Sequence, residues 1–533
     1  MRILTAGCAD LLAVLLFSRR MKTIIRLLLL QIWLNFSATA GDLDTMGVTQ
    51  LRATNAALTG GGVTVGQPEA QGGANDWEVY PPYAGQVLGI FTWFNTNGSS
   101  TNFPNSLGTD SSHADQVGSH YYGMTAGVAP GVAHVDSYEA DYFYEIDVVG
   151  QMPISDAVVN QSFIFTGSDP PQTTVDSTYD NYADLYGTLF CSAVGNGGAV
   201  SAPGTTYNGL GVGCYGIGAN SSTGPTPDNG RSKPDLVAPG TETSFSTPYV
   251  AGAAAVLFQA AALGDGGANT SAAGDLRTVK ALLLNGAIKP GDWTHTTNAP
   301  LDTRYGAGVL NLNYSYLQLS AGRQTVSFSG TVSAGGSHLP GTPSNVIHSL
   351  LGWDYQSEMS SILQDAVNHY YIDNSTNSAA SLTLTATLAW NRQTGQSGVN
   401  DLALFLYNTT NAVLITNSVS TVDNIQHIYI SSLPRGKYDL QVVKYGGLSA
   451  SETYALAFQF YPISPPSLNI TSVGGNTVVS WPSSPTIFNL QQTTNLSPPI
   501  LWSAVGTIGL ITNTTVSVTL SPGAATAFYR LVR

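Results

Sequence analysis

The stretch TSFSTPYVAGAAAVL, residues 243–257, sets Ser244, Ser246 and Thr247 ahead of Pro248 and a run of Ala, Gly and Val. Two chemistries use such a pattern. Ser and Thr cap helices by accepting a backbone N–H, and proline suits a first turn, where no N–H is needed. Alternatively, one serine is a nucleophile held at the positive end of a buried helix. A hydroxyl is too weakly acidic to attack an amide unaided, so that reading needs a base and an acid elsewhere in the chain. His113 by itself reads as a core or surface histidine, and Asn196, between glycines, as a turn residue tolerant of left-handed backbone. Cys191 and Cys214 lie in strand-like runs and read as plain buried thiols rather than as a disulfide. No His-Glu-x-x-His zinc spacing and no EF-hand calcium loop occurs.

The elements that would position these groups fall into three zones. Residues 41–318 alternate Gly-rich apolar runs such as GGGVTVG and GLGVGCYGIGA with helix-like stretches. In DLRTVKALLLNGA, Leu276, Val279 and Leu283 keep helical spacing behind Asp275 as cap. Strands alternating with helices imply a mainly parallel sheet with helices on both faces, an α/β domain. Residues 319–461 switch to period two, as in SLTLTATLAW and DLALFLYN, which predicts an antiparallel, jelly-roll-like β-sandwich. A Pro-rich link, YPISPPS, leads to residues 462–533, read as a small C-terminal β-sandwich with Trp481 and Trp502 for its core.

Bulk properties narrow the function class. The 533 residues carry a formal charge of −14. The first 40 hold five Lys or Arg and one acid, so the remainder carries −18. So acidic a surface repels nucleic acid and anionic membrane, and neither is expected as a partner. MKTIIRLLLLQIWLNFSATA has a basic start, a short apolar core and Ala38-Thr39-Ala40 as a cleavage site. Residues 1–40 therefore read as a signal peptide, with Met21 the expected true start and a bipartite signal using both segments the alternative, and the protein as secreted. FNLQQTTNLSPPILWSAV and FYRLVR near its end resemble the short β-sandwich tails of bacterial secreted proteins, which implies bacterial export. The apolar run is too short to span a bilayer and no hydrophobic tail closes the chain, so no membrane anchor is expected.

Read with its upstream neighbours, the serine stretch becomes GRSKPDLVAPGTETSFSTPYVAGAAAVL, residues 230–257. It resembles the serine box of the subtilisin-like serine peptidases, the subtilases. Three further stretches resemble that family's boxes in the same order: SSHADQVGSHYYGMTAGVAPG (111–131), VVNQSF (158–163) and SAVGNGG (192–198). The resemblance implies an α/β fold and a secreted serine endopeptidase that cuts polypeptides through a Ser-His-acid triad and an acyl-enzyme intermediate. It implies Ser244 as nucleophile, His113 as general base, Asn196 as side-chain oxyanion donor, and Ser162, Phe163 and Ile164 along the substrate edge.

For the acid, the family pattern Val-x-Val-x-x-x-Asp lands on Glu69, counted from Val63 and Val65. Period-two geometry sets Val63, Val65, Gln67 and Glu69 on one side of a strand that continues past Pro68. Asp76, with Glu78 behind it, is the alternative. The sequence departs from the family at Ala114-Asp115, where Gly-Thr is usual and a charge now sits near the base. It departs again at Glu242, where Gly is usual, in the short interval from Gly240 to Ser244, and in leaving no room for a propeptide between Ala40 and Gly60. These departures also fit a second reading, an inactive subtilase-fold protein that binds glycan, cell surface or protein through its β-domains. No cofactor is expected. Subtilases often carry structural calcium, for which the sequence names no ligands.

Overall fold

The computed structural model describes residues 41–533 except 74, 168–169, 464–465, 498–499, 508, 513–514, 522–525 and 533. The proposed signal peptide and part of the Pro-rich link lie outside the described residues.

Eight strands build the N-terminal sheet: β1 (Thr64–Glu69), β2 (Phe91–Asn95), β3 (Gly98–Ser100), β4 (His134–Glu139), β5 (Val158–Gln161), β6 (Leu189–Ala193), β7 (Leu210–Tyr215) and β8 (Leu236–Pro239). Their order across the sheet is β8-β7-β6-β5-β1-β4-β2-β3. Every pairing is parallel except the β2–β3 hairpin. The central strands are buried throughout, so LFCSA and LGVGCY read as nearly continuous apolar runs rather than as alternation, while VVNQ ends in the buried amides Asn160 and Gln161.

Helices cover both faces, as predicted. Phe190 of β6 points to one side, against Tyr179 and Tyr182 of α2 (Gln172–Tyr186). Cys191 next to it must point to the other, toward Tyr121 of α1 (Ser112–Tyr121). Both cysteines are free and buried.

The small-residue run is α3 (Thr243–Ala262). By length and composition it could cross a membrane, yet 83% of its apolar window lies inside the protein. A helix apolar on all sides belongs in a core. Its small residues let neighbours close in: a side chain at Gly252 would meet Val128 Cβ at 2.7 Å and Tyr121 O at 3.1 Å.

Two further helices, α4 (Leu276–Asn285) and α5 (Leu312–Ser320), face the next zone. Asp275 caps α4 by accepting from Arg277 N at 2.9 Å. The sandwich has a five-stranded sheet containing Gln364–Asp373 and Lys437–Lys444 and a four-stranded sheet containing Ser381–Trp390 and Ser451–Pro462. Its interior is filled by Leu384, Leu388, Trp390, Leu404, Leu440 and Phe458. The two zones do not merely abut. Trp353, Ala389, Ile425, Ala455 and Ala457 join the N-terminal core, and Thr387 Oγ1 donates to Asn285 Oδ1 at 2.9 Å. The change of zone near residue 319 is thus one of topology, while apolar packing crosses it.

The C-terminal strands form a four-stranded and a three-stranded antiparallel sheet around Val479, Trp481, Leu490 and Val518. Trp481 is buried there, whereas Trp502 is only half-buried and lies under the Arg530 guanidinium at 4.4 Å. The expectation that both tryptophans fill this core holds for Trp481 alone.

Candidate active site

The parallel sheet brings the predicted residues to one edge. Glu69 is the last residue of β1, Ser162 follows β5, Asn196 follows β6, and the loop after β8 leads into α3 with Ser244 as its second residue. Crevices outside the carboxyl ends of parallel strands are where open α/β sheets hold ligands.

Strand β1 stays regular through Pro68. It pairs with β4 along its whole length but with β5 only at Val65 and Gly66, so the missing Pro68 N–H breaks no ladder bond on that side. Glu69 is therefore delivered on the same side as Gln67, as period two requires. Glu69 Oε2 lies 2.8 Å from His113 Nδ1. A carboxylate only accepts, so Nδ1 carries the proton and Nε2 is left with its lone pair in the neutral ring.

The second oxygen, Oε1, accepts from Gln67 Nε2 at 2.9 Å, and the same amide donates to Ala114 O at 2.9 Å. Tyr122 OH donates in turn to Gln67 Oε1 at 2.5 Å. Gln67 and Tyr122 are fully buried and fix the longer glutamate arm. Sequence reasoning missed both as positioning residues. The placement of Gln67 beside Glu69 was the available signal.

Neither alternative acid is paired with His113, whose carboxylate partner is Glu69. Asp76 accepts from Gly73 N in its own turn. Glu78 is buried on the short strand Asp76–Glu78, where burial raises its carboxyl. Asp115 is buried and accepts from Tyr80 N at 2.7 Å. Burial pushes its carboxyl up to about 6.

His113 keeps 40% of its side-chain surface exposed while Glu69 keeps 2%. Burial pulls its pKa down, but the hydrogen bond and charge of Glu69 and the charge of Glu242 outweigh it, and the net shift is upward. The ring stands 5.5 Å from that of Phe245, beside Ser244. His120, the penultimate residue of α1, ties the two helices together through Nδ1–H to Phe245 O at 3.1 Å and by stacking on Tyr249 at 4.6 Å.

The start of α3 departs from the capping expectation. None of Ser244, Ser246 and Thr247 caps it, and Glu242 at the cap position makes no side-chain cap bond. The acceptor comes from another element: Asn196 Oδ1 takes both Thr243 N and Thr243 Oγ1 at 2.9 Å. That spends the amide oxygen on the helix and leaves the Nδ2 donor on the other side of the amide. Asn196, whose type tolerates a left-handed backbone, leaves that conformation to its flanking glycines, Gly195 and Gly197, at φ 103° and 89°.

Pro248 lies in the second turn, not the first. Lacking an N–H, it cannot bond Ser244 O four residues back, and Ser162 Oγ supplies that donor at 2.8 Å. Ser244 Oγ donates to Ser162 O at 3.2 Å. Phe163 and Ile164 continue from Ser162, with Phe163 6.1 Å from the Phe165 ring and Ile164 against Gly195. Among the described residues no group of three or more His, Cys, Asp or Glu is arranged to hold a metal ion.

Residues 146–308 match the family model Peptidase_S8, the subtilase family. The matched stretch contains Asn196 and Ser244 and begins beyond Glu69 and His113. Similar solved structures include a PatG macrocyclase in complex with peptide, at 16% identity over 52% of this chain and 98% of that one, with a TM-score of 0.36. Tripeptidyl peptidase 2 (TPP II) is similar at 12% identity over 73% of this chain and 43% of that one, with a TM-score of 0.31. No curated protein matches the chain.

Proposed function

From the premise that the chain carries a peptidase domain of the subtilase family, we propose that it is a secreted serine endopeptidase with Ser244, His113 and Glu69 as triad and Asn196 as oxyanion donor. The observation that carries this reading is the Glu69–His113 pair at 2.8 Å beside the first turn of the helix that presents Ser244.

In the proposed reaction Ser244 Oγ turns about its Cα–Cβ bond from Ser162 O toward His113 Nε2. Nε2 takes the hydroxyl proton as Oγ attacks the scissile carbonyl, and Glu69 stabilises the imidazolium through Nδ1–H. The oxyanion meets Asn196 Nδ2 and the Ser244 N–H in the first turn of α3, where Thr243 N and Phe245 N already have acceptors. Nε2 then gives its proton to the leaving amine, and water repeats the cycle on the ester to release the acid. An acceptor already bound on Nδ1 means that the base needs no tautomer change during turnover.

The second reading, an inactive binding protein, is favoured by one observation: the Ser244 hydroxyl bonds to Ser162 O. Labelling with a fluorophosphonate probe, mapped by peptide mass spectrometry beside a Ser244→Ala variant, separates the two. Stoichiometric adduct on Ser244 establishes an activated nucleophile. A well-folded protein that takes up no probe leaves only the fold, and contacts to glycan or cell surface through the β-domains become the function to test.

A further inference from the structure

Four lysines are buried among the described residues: Lys233, Lys280, Lys289 and Lys444. Three have acidic company. Lys233 bonds Asp235, and Lys280 lies 3.9 Å from the same carboxylate while donating to Tyr207 O and Gly209 O. Lys444 donates to Ser360, Ser449 and Tyr445 within the fields of Glu452 and Glu358.

Lys289 is different. Its Nζ has one hydrogen bond, to Ala287 O at 3.2 Å, and faces the rings of Trp293 at 5.3 Å and Tyr429 at 5.8 Å. Its titratable neighbours are His295 and His427, whose pKa values are lowered by burial first and by the Lys289 charge second. His427 is fully buried, and its Nε2 has no partner. Burial holds Lys289 down at about 7. An ammonium with an unfilled donor set and no counter-charge is unfavourable in an interior, and an anion that supplied both would be bound firmly.

The structure has room for one. Lys289 borders a cavity of about 210 Å³ between the N-terminal domain and the C-terminal strands, walled by Trp481, Phe488, Leu490, Ile511 and Val518. That is about seven waters' share of liquid volume. The wall mixes apolar and aromatic side chains with Ser484, Thr486, Asn489 and Thr507, and Lys289 is its one charged residue. None of its lining residues belongs to the proposed catalytic set.

We propose that this cavity is a binding site for a small organic carboxylate, its head on Lys289 Nζ and its apolar body against Trp481 and Phe488. Such a ligand would bridge two domains and strengthen their docking, which rests here on Ile511 packed with Tyr215, Val237 and Ile288 and on Ile511 N donating to Tyr215 OH at 3.1 Å.

Calorimetric titration of the whole chain with hexanoate and 1-hexanol, and with benzoate and benzyl alcohol, tests this. Each acid should bind about 10- to 100-fold more tightly than its alcohol, the value of one charge-assisted hydrogen bond. Lys289→Met, checked for folding by circular dichroism, should erase that preference. Equal binding of acid and alcohol, or no binding of either acid, overturns the proposal. So does an acid preference that survives in the variant. The acid–alcohol comparison on the unaltered chain stands even if the variant does not fold.

Discussion

Two histidines in this protein make the same bond and live in different surroundings. His113 Nδ1 lies 2.8 Å from Glu69, and His369 Nδ1 lies 2.8 Å from Asp439 in the sandwich. The first side chain is 40% exposed and the second 6%. Beyond His113 stands the start of a helix carrying a serine. His369 lies between the rings of Tyr371 and Phe328. Its acid also accepts from Gln441 Nε2 at 2.6 Å, a neutral clamp like that of Gln67 on Glu69. A histidine–carboxylate pair with a buried amide behind it is therefore a structural unit of this chain. The exposure of its ring and the serine-bearing helix start beside it are what set one copy apart.

The sharpest break of that comparison is removal of the hydroxyl. Ser244→Ala should lower kcat/KM on a casein-type substrate by about 10⁶-fold, with thermal unfolding little changed. His113→Ala should match it, because nucleophile and base act as one unit. His369→Ala should leave turnover intact, and a comparable loss there would erase the distinction between the two pairs.

Glu69→Gln should come next, with kcat falling about 10⁴-fold as the ring loses its fixed tautomer. The pH profile supplies a second readout. His113 must be neutral to act, and Glu69 raises its pKa, so the acid limb should move to lower pH in the variant. Asp76→Asn should move neither rate nor limb.

Asn196→Ala should reduce kcat by about 100- to 1000-fold with KM little altered. It should also lower stability by about 1 kcal/mol, because the same amide caps α3. A loss confined to stability would leave Asn196 as a cap only.

The smallest effect on turnover belongs to the other pair. Asp439→Asn should cost about 1–3 kcal/mol in urea unfolding, the usual cost of spoiling a buried hydrogen bond, and nothing in proteolysis.

Much of the site was legible because short-range geometry is carried by the chain itself. Strand periodicity put Gln67 and Glu69 on one side, and Asp275 capped α4 where its spacing said it would. The run of small residues after Pro248 required a buried helix, since only close neighbours make use of so little side chain. Mean composition and alternation likewise gave a parallel α/β sheet followed by antiparallel β-structure.

Tertiary structure decided who satisfies each buried polar atom, because those partners come from elements far apart in the sequence. Asn196 caps a helix that begins 47 residues later, and Ser162 answers the carbonyl that Pro248 leaves open 82 residues away. Tyr122, from the end of α1, steadies a glutamine on β1. Nothing local marks Lys289 as a lysine without an acid, since Tyr429 reaches it, and Trp481 and Ile511 wall the cavity it borders, only through domain packing. Sequence sets which side a residue faces and which backbone it tolerates, whereas the packing of distant elements sets what meets it there, and at buried hydroxyls, amides and ammonium groups that second choice governs the chemistry.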